Sequence, residues 1–187
     1  VNEGGWHIAE AVKRSYDVEG MHVGTIAAGR IGYDMLRKMH PFDVHLHYFD
    51  KHRLSSDQEQ ALNLTYHDSV ESLVAACDVI NISCPLHPET EHLFNDELIS
   101  KCKPGAYIIN TARGCIVNES ALHAFLSSNP DSFAAFDVYA EEPAIDNPLF
   151  ELPNFFGTSH RSSLTHEGIN AMGLAAIAGL DDNKIFN

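Results

Sequence analysis

The chain has 187 residues, of which 44% are hydrophobic, so it can bury the core of one large domain. Its formal net charge of −14 argues against a nucleic-acid partner, because phosphate backbones are bound by clustered Lys and Arg side chains. No run of about 18 apolar residues is present, so the sequence predicts no membrane span. The four cysteines form no Cys-x-x-Cys pair, which favours reduced thiols, most of them small core residues, in a cytoplasmic protein.

Helix-like and strand-like segments alternate along the chain. In order, the patterns predict helix 6–16, strand 21–26, helix 30–39, strand 44–49, helix 58–63, strand 64–67, helix 70–76, strand 79–83, helix 95–102, strand 106–110, helix 119–127, strand 132–138, strand 155–158 and helix 165–180. Ser69 is the predicted cap of helix 70–76, and the Pro-rich stretch 141–153 is predicted to be a surface loop. This alternation predicts a doubly wound α/β fold, in which helices cover both faces of a mostly parallel sheet.

Two segments near the start carry the arrangement that a protein needs to hold a dinucleotide. The first strand turns through Ala27-Ala28-Gly29-Arg30-Ile31-Gly32, and the second strand ends at Asp50. Small residues let the backbone approach the pyrophosphate, and a carboxylate about 20 residues further on can accept hydrogen bonds from a ribose hydroxyl. Ala27 stands where the first glycine of the fingerprint is expected, and an ordinary glycine turn is the alternative interpretation. The strand, turn, helix and second strand together favour a Rossmann-type domain.

Polar side chains follow three later strands, at the sheet edge where ligands of this fold bind. Arg113 follows the fifth strand, Glu142 the sixth and His160 the seventh. A guanidinium can hold a carboxylate through two parallel hydrogen bonds, and an imidazole can transfer a proton near neutral pH. The bland alternatives are a structural ion pair, a surface acid and a solvated histidine. The occurrence of Arg113, Glu142 and His160 after successive strands predicts a catalytic set, in which Glu142 orients His160.

Twelve histidines raise the question of a metal site. His45 and His47 alternate on one strand and therefore share a face. No cysteine or carboxylate cluster with ligand spacing joins them, and zinc needs three or four converging ligands. The sequence predicts no metal site.

Several segments together resemble the NAD-dependent D-2-hydroxyacid dehydrogenases, and within that family the formate dehydrogenase branch. They are Gly4-Gly5-Trp6, residues 16–32, residues 41–48, Leu62-Asn63-Leu64-Thr65, residues 84–92 and residues 105–114. The resemblance implies NAD as cofactor, with Arg30 and Ile31 at the pyrophosphate and Asp50 on the adenosine ribose, where it favours NAD over the phosphorylated form. It also implies that further residues line the cofactor: Pro85, His87, Glu89, Thr111 and Asp137. Ser162 is implied to lie near the nicotinamide. Arg113 is implied to grip a small carboxylate substrate, with His160 beside it.

The resemblance leaves the reaction open. The segments between residues 4 and 115 imply oxidation of formate to carbon dioxide by direct hydride transfer to NAD. Glu142, however, stands where formate dehydrogenases carry glutamine and D-2-hydroxyacid dehydrogenases carry glutamate, and Arg161 departs from the usual residue beside the histidine. A dehydrogenase of a small 2-hydroxy acid is therefore one alternative, because a carboxylate-paired histidine can take up a hydroxyl proton that formate lacks. A non-catalytic NAD-sensing module is another, and the presence of all three catalytic candidates counts against it.

The resemblance also implies a second, substrate-contacting domain that this sequence does not include. We expect residues 1–187 to form one dinucleotide-binding domain with a core at about residues 18–160. Residues 1–17 and 161–187 are then flanking helices that lead to the missing domain. A homodimer paired through this domain is the expected assembly.

Overall fold

The computed structural model describes residues 15–182, which fold around a seven-stranded sheet. The strands are β1 (His22–Ile26), β2 (His45–Phe49), β3 (Thr65–Tyr66), β4 (Val79–Ile82), β5 (Tyr107–Asn110), β6 (Phe133–Phe136) and β7 (Phe155–Gly157). Their order is β3-β2-β1-β4-β5-β6-β7, and every neighbouring pair is parallel. The order reverses between β1 and β4, so the predicted doubly wound fold is confirmed.

Helices connect the strands. They are α1 (Arg30–Met39), α2 (Ser56–Leu62), α3 (Val70–Ala76), α4 (Asp96–Ile99), α5 (Glu119–Ser128) and α6 (His166–Asp182). Short 3₁₀ helices span His40–Phe42, Gly114–Ile116 and Pro148–Glu151. None of the helices within residues 15–182 is long and apolar enough to cross a membrane.

The core lies on both faces of the sheet, as two clusters of buried side chains. On one face, Leu36 of α1 and Leu62 of α2 pack with Tyr48 of β2. On the other, α3, α4 and α5 bury their apolar sides against the central strands. The strands carry β-branched and aromatic residues on both sides because both faces are covered. Because all neighbouring strands are parallel, their carboxyl ends lie at one edge of the sheet, and the loops after them form the candidate site.

The predicted elements agree with the structure to within two residues at nearly every boundary, and Ser69 caps α3 by accepting the amide hydrogen of Ser72 at 3.1 Å. Helix α2 begins earlier than predicted, because Ser55 and Gln58 form a reciprocal capping box. The predicted helix 95–102 is wrong in length: Asn95 is the cap of α4, which ends at Ile99. The predicted helix 6–16 lies outside the described residues except for 15 and 16, which are not helical.

The Pro-rich loop 141–153 is only partly a surface loop. It contains the 3₁₀ helix Pro148–Glu151, and Leu149 in that helix is buried in the core. Burial of one leucine anchors the loop to the sheet. The loop that carries Glu142 is therefore fixed at its far end by packing.

The prediction that most cysteines are small core residues is confirmed. Cys77, Cys84 and Cys102 are buried, Cys115 is partly exposed, and all four thiols are free. Burial raises the pKa of Cys77 to about 12, of Cys84 to about 11 and of Cys102 to about 12. These three thiols therefore stay protonated at neutral pH.

Candidate active site

The turn between β1 and α1 is built by a left-handed alanine and a glycine that no other residue can replace. Ala27 has φ +72°, a conformation that glycine adopts at no cost. A Cβ atom at Gly32 would lie 2.1 Å from the carbonyl oxygen of Ala27, so the close approach of helix and turn requires glycine there. The third position of the fingerprint thus acts through packing, as its pattern predicts.

The N-terminus of α1 is open to a ligand. Gly29 is its cap and offers no side-chain acceptor, and its first turn has no acidic residue. A Cβ atom at Gly29 would meet no atom within 4 Å, so bare backbone faces the space outside. That space is a cavity of about 640 Å³, and the predicted residues Ala27, Gly29, Arg30, Ile31, Gly32, Asp50 and Pro85 all line it. Unpaired amides at a helix N-terminus favour an anion, so this turn fits a pyrophosphate.

Asp50 is oriented by two backbone amides. Its Oδ2 accepts from Ala28 at 2.8 Å and its Oδ1 from His52 at 2.8 Å. A carboxylate can accept about four hydrogen bonds, so acceptor capacity remains on each oxygen. Asp50 lines the cavities on both sides of it, which fits an acceptor for ribose hydroxyls.

A second cavity, of about 360 Å³, lies between the loops after β2 and β4. Its wall is mainly apolar and includes Ile26, Phe49, Val70 and Leu93, together with the predicted residues Ala27, Asp50, Pro85, His87 and Glu89. This mainly apolar lining fits an aromatic base. Lys51, which sequence reasoning missed, pairs with Glu89 across the two loops. Thr90, also missed, holds its loop by donating to the carbonyl of Pro85 at 2.7 Å and accepting from the amide of His87 at 2.8 Å.

Arg113 follows β5 in a turn whose backbone is fixed by Asn110. The buried Asn110 side chain accepts from the Ala112 amide at 3.0 Å and donates to the Arg113 carbonyl at 3.0 Å. The exposed guanidinium donates to the carbonyl of Ala112 at 2.6 Å. Among the ion pairs within residues 15–182, none involves Arg113, so the structural ion pair that was its alternative is not seen there.

Glu142 and His160 meet across the loops after β6 and β7. His160 Nδ1 lies 2.7 Å from Glu142 Oε2, and the Tyr139 amide donates to Glu142 Oε1 at 3.0 Å. The His160 ring and then the Tyr139 amide hold the pKa of Glu142 below its usual value. The pair is partly exposed, with His160 48% and Glu142 36% accessible, and it borders a cavity of about 650 Å³. Arg161 lines the same cavity beside His160.

The turn of Arg113 packs on the turn that leads to Glu142. A Cβ atom at Gly114 would lie 1.8 Å from the carbonyl carbon of Tyr139, so the two backbones are in direct contact. The structure therefore brings the Arg113 turn and the Glu142–His160 pair together at one end of the sheet. The predicted roles of these three side chains stay predictions.

Asp137 is buried, and its carboxylate binds the loop that carries His160. It accepts from the Thr158 hydroxyl at 2.5 Å, the Arg161 amide at 2.9 Å and the Ser162 amide at 2.9 Å. Burial alone raises the pKa of this acid, but these hydrogen bonds outweigh burial and hold its pKa far below the usual range. Thr111 and Ser162 lie exposed after β5 and β7 along the same edge. That Asp137, Thr111 and Ser162 contact the cofactor stays a prediction.

Four histidines lie together across β1, β2 and the residue after β3, arranged as a chain rather than around a centre. His22 Nδ1 lies 2.8 Å from His47 Nε2, and His47 Nδ1 lies 3.0 Å from His67 Nε2. His67 Nδ1 lies 2.8 Å from the Ser72 hydroxyl, and the ring of His45 stacks on that of His22. Because His47 uses both nitrogens in the chain, the rings do not converge on a point. No group of three or more potential metal ligands occurs in the part of the chain that the structure describes.

Comparison with known proteins agrees with this geometry. Residues 1–162 match the model of the D-isomer specific 2-hydroxyacid dehydrogenase NAD binding domain. A formate dehydrogenase from Pseudomonas sp. (strain 101) is 49% identical over 164 residues, which cover 87% of this chain and 41% of that protein.

Solved structures give the same result. A formate dehydrogenase from Granulicella m. has a TM-score of 0.86 at 46% identity, covering 89% of this chain and 45% of its own. An NAD-dependent formate dehydrogenase from Staphylococcus aureus, solved in complex with NAD, has a TM-score of 0.85 at 32% identity, covering 99% of this chain and 56% of its own. The chain thus spans about half the length of the proteins it matches.

Proposed function

Since this chain belongs to the D-isomer specific 2-hydroxyacid dehydrogenase family through its NAD-binding domain, we propose that it is the coenzyme half of an enzyme that oxidises formate. The reaction removes a hydride from formate and releases carbon dioxide, and NAD⁺ is reduced to NADH. The identity of 49% to a formate dehydrogenase carries this proposal. Bound NAD supplies the hydride acceptor.

The residues of this chain would bind and orient the reactants. The α1 N-terminus and Gly29 would face the pyrophosphate, and Asp50 would accept hydrogen bonds from the adenosine ribose. A phosphate on that ribose would meet the carboxylate charge, which favours NAD over its phosphorylated form. Arg113 would hold the formate carboxylate, with His160 beside it.

A second candidate is the oxidation of a small D-2-hydroxy acid, and one observation favours it. The 2.7 Å contact between His160 and Glu142 pairs the imidazole with a carboxylate. Such a pair can take up the proton of a substrate hydroxyl as the hydride leaves its carbon. Formate has no such proton, so its oxidation does not need this pair.

The full-length protein separates the two candidates by NADH absorbance. Formation of NADH from formate supports the first candidate, and its absence with formate refutes it. Consumption of NADH with glyoxylate or hydroxypyruvate supports the second. Glu142→Gln is the discriminating variant: activity with formate should survive it, whereas reduction of a 2-keto acid should fall about 10²-fold, because proton transfer by a positioned acid or base contributes that much.

The proposal also covers the domain bounds, the dimer and the cellular location of the protein. We infer that residues 1–187 form the coenzyme domain with its core at about 18–160, and that its flanks lead to a substrate-binding half. Exposed apolar residues along α6, among them Ile169, Met172 and Ile177, suit a homodimer contact. Three buried free thiols are typical of a reducing compartment, which supports a cytoplasmic location.

A further inference from the structure

One carboxylate closes the loop that carries Glu142. Glu119 Oε1 accepts the amide of Ala140 at 2.8 Å, and Glu119 Oε2 accepts from Asn147 Nδ2 at 2.8 Å. Ala140 and Asn147 stand on either side of Glu142 in the chain. The two oxygens of Glu119 therefore span the loop from one end to the other.

Glu119 is itself held by a rigid element. It is the first residue of α5, directly after the cap Asn118, whose side chain accepts from the Ala121 amide at 3.0 Å. Ala121 and Leu122 in the same turn are buried in the core. A negatively charged side chain in the first turn of a helix interacts favourably with the helix dipole, and charged acceptors form strong hydrogen bonds.

The loop end at Asn147 is fixed as well. Asn147 Oδ1 accepts the amide of Leu149 at 3.0 Å, and the Leu149 side chain is buried. Asn147 thus joins Glu119 to the anchored 3₁₀ helix by using its amide group as donor and its carbonyl as acceptor. Between these anchors, Glu142 receives the Tyr139 amide on one oxygen and faces His160 with the other.

We propose that Glu119 is a positioning residue for the Glu142–His160 pair. It touches neither partner and acts through the backbone at Ala140 and through Asn147. This inference rests on the proposed function for its effect on catalysis. Its effect on the loop is independent of which substrate the enzyme takes.

The test uses three variants of the full-length protein. Glu119→Gln replaces one carboxylate oxygen by an amide group, which cannot accept from Asn147. In the double variant Glu119→Gln with Asn147→Asp, the new amide donates to the new carboxylate, which still accepts from Leu149, so the contact is rebuilt with donor and acceptor exchanged. Glu71→Gln is the matched control, because Glu71 is an exposed acid in the first turn of α3.

The first readout does not depend on activity. Amide hydrogen exchange at Tyr139 and Ala140 should quicken at least tenfold in Glu119→Gln and return toward the wild-type rate in the double variant. A carboxyl NMR titration should show the pKa of Glu142 rising toward its ordinary value in the single variant, because the His160 ring and the Tyr139 amide then bind it less well. Asp137 is the other charge that acts on this carboxyl, and none of the three variants changes it.

The second readout is kcat, and its expected change depends on the substrate. For reduction of a 2-keto acid we expect kcat in Glu119→Gln to fall about tenfold with the KM for the coenzyme unchanged, and the double variant should restore it. Oxidation of formate does not need the Glu142–His160 pair, so its kcat should stay unchanged in both variants. Unchanged exchange and titration in Glu119→Gln overturn the proposal, as does a double variant that recovers neither. If no substrate is turned over, the proposed function fails, while exchange and titration still decide the role of Glu119.

Discussion

The chain of buried imidazoles should make the stability of this protein depend on pH between 6.5 and about 4. His47 is 7% exposed, and burial, followed by the neighbouring rings of His67 and His22, lowers its pKa from 6.5 to about 4. Burial also lowers the pKa of His67. Between these pH values the unfolded chain binds the proton at position 47 and the folded protein does not.

The sign and size follow from linkage. Because the unfolded state binds more protons in this window, the free energy of unfolding is greatest above pH 6.5 and falls as the pH drops toward 4. The difference between 6.5 and about 4, at about 1.4 kcal/mol for each pKa unit, corresponds to about 3 kcal/mol. That is a large part of the free energy of unfolding of a typical protein, which is roughly 5–15 kcal/mol.

Urea unfolding across this pH range measures the effect. His47→Gln should lower the free energy of unfolding at neutral pH by about 1–3 kcal/mol, because His22 and His67 each lose a partner. It should also flatten the pH dependence, so that the variant and the wild type converge in acid. His40→Gln is the control, since His40 is exposed and lies outside the histidine cluster, and it should leave the slope unchanged. The reasoning is refuted if His47→Gln keeps the wild-type slope, or if NMR titration of His47 gives a midpoint near 6.5.

Three further substitutions test the turn and the His160 loop, and Ala28→Gly is the control among them. Ala27→Gly relieves a left-handed alanine, worth about 1–2 kcal/mol, against an entropy cost of roughly 0.5–1 kcal/mol, so stability should hold or rise slightly. Ala28 is buried and lies outside the left-handed region, so Ala28→Gly should lower the free energy of unfolding by about 1.5 kcal/mol. Urea unfolding measures both variants, and an equal loss of stability in the two would contradict the left-handed conformation of Ala27. Asp137→Asn should destabilise the protein by about 2 kcal/mol and lower kcat, because an amide cannot accept from Thr158, Arg161 and Ser162 together. Unchanged urea unfolding and unchanged turnover would show that Asp137 does not hold the His160 loop.

The fold could be predicted because its signals are local. Runs of β-branched and aromatic residues mark β1, β4 and β5, and Ser69 marks the start of α3 within a few residues of sequence. The capping box at Ser55 was also readable, since Ser and Gln stand three residues apart. The early end of the predicted helix 95–102 was harder to predict, because the helix stops at Ile99 while the first helix-breaking residue in the sequence is Pro104.

Parts of the candidate site could be predicted either from a continuous motif or from polar residues that follow successive strands. The turn at residues 27–32 and the Asp50 carboxylate come from the first signal, and the contact of Glu142 with His160 comes from the second. The bonds of Glu119 join residues 21 and 28 positions apart, and the histidine chain crosses three strands. No spacing rule links such residues, because their contact is created by the order of strands in the sheet.

Acidic side chains explain how this edge of the sheet is held in shape. Four carboxylates accept backbone amides from the loops that form the candidate site: Asp50, Glu119, Asp137 and Glu142. Ionised acceptors bind amides more strongly than neutral ones, so each acid fixes a loop that has no regular secondary structure. Some of the acidic residues behind the net charge of −14 thus fix the conformation of the site loops.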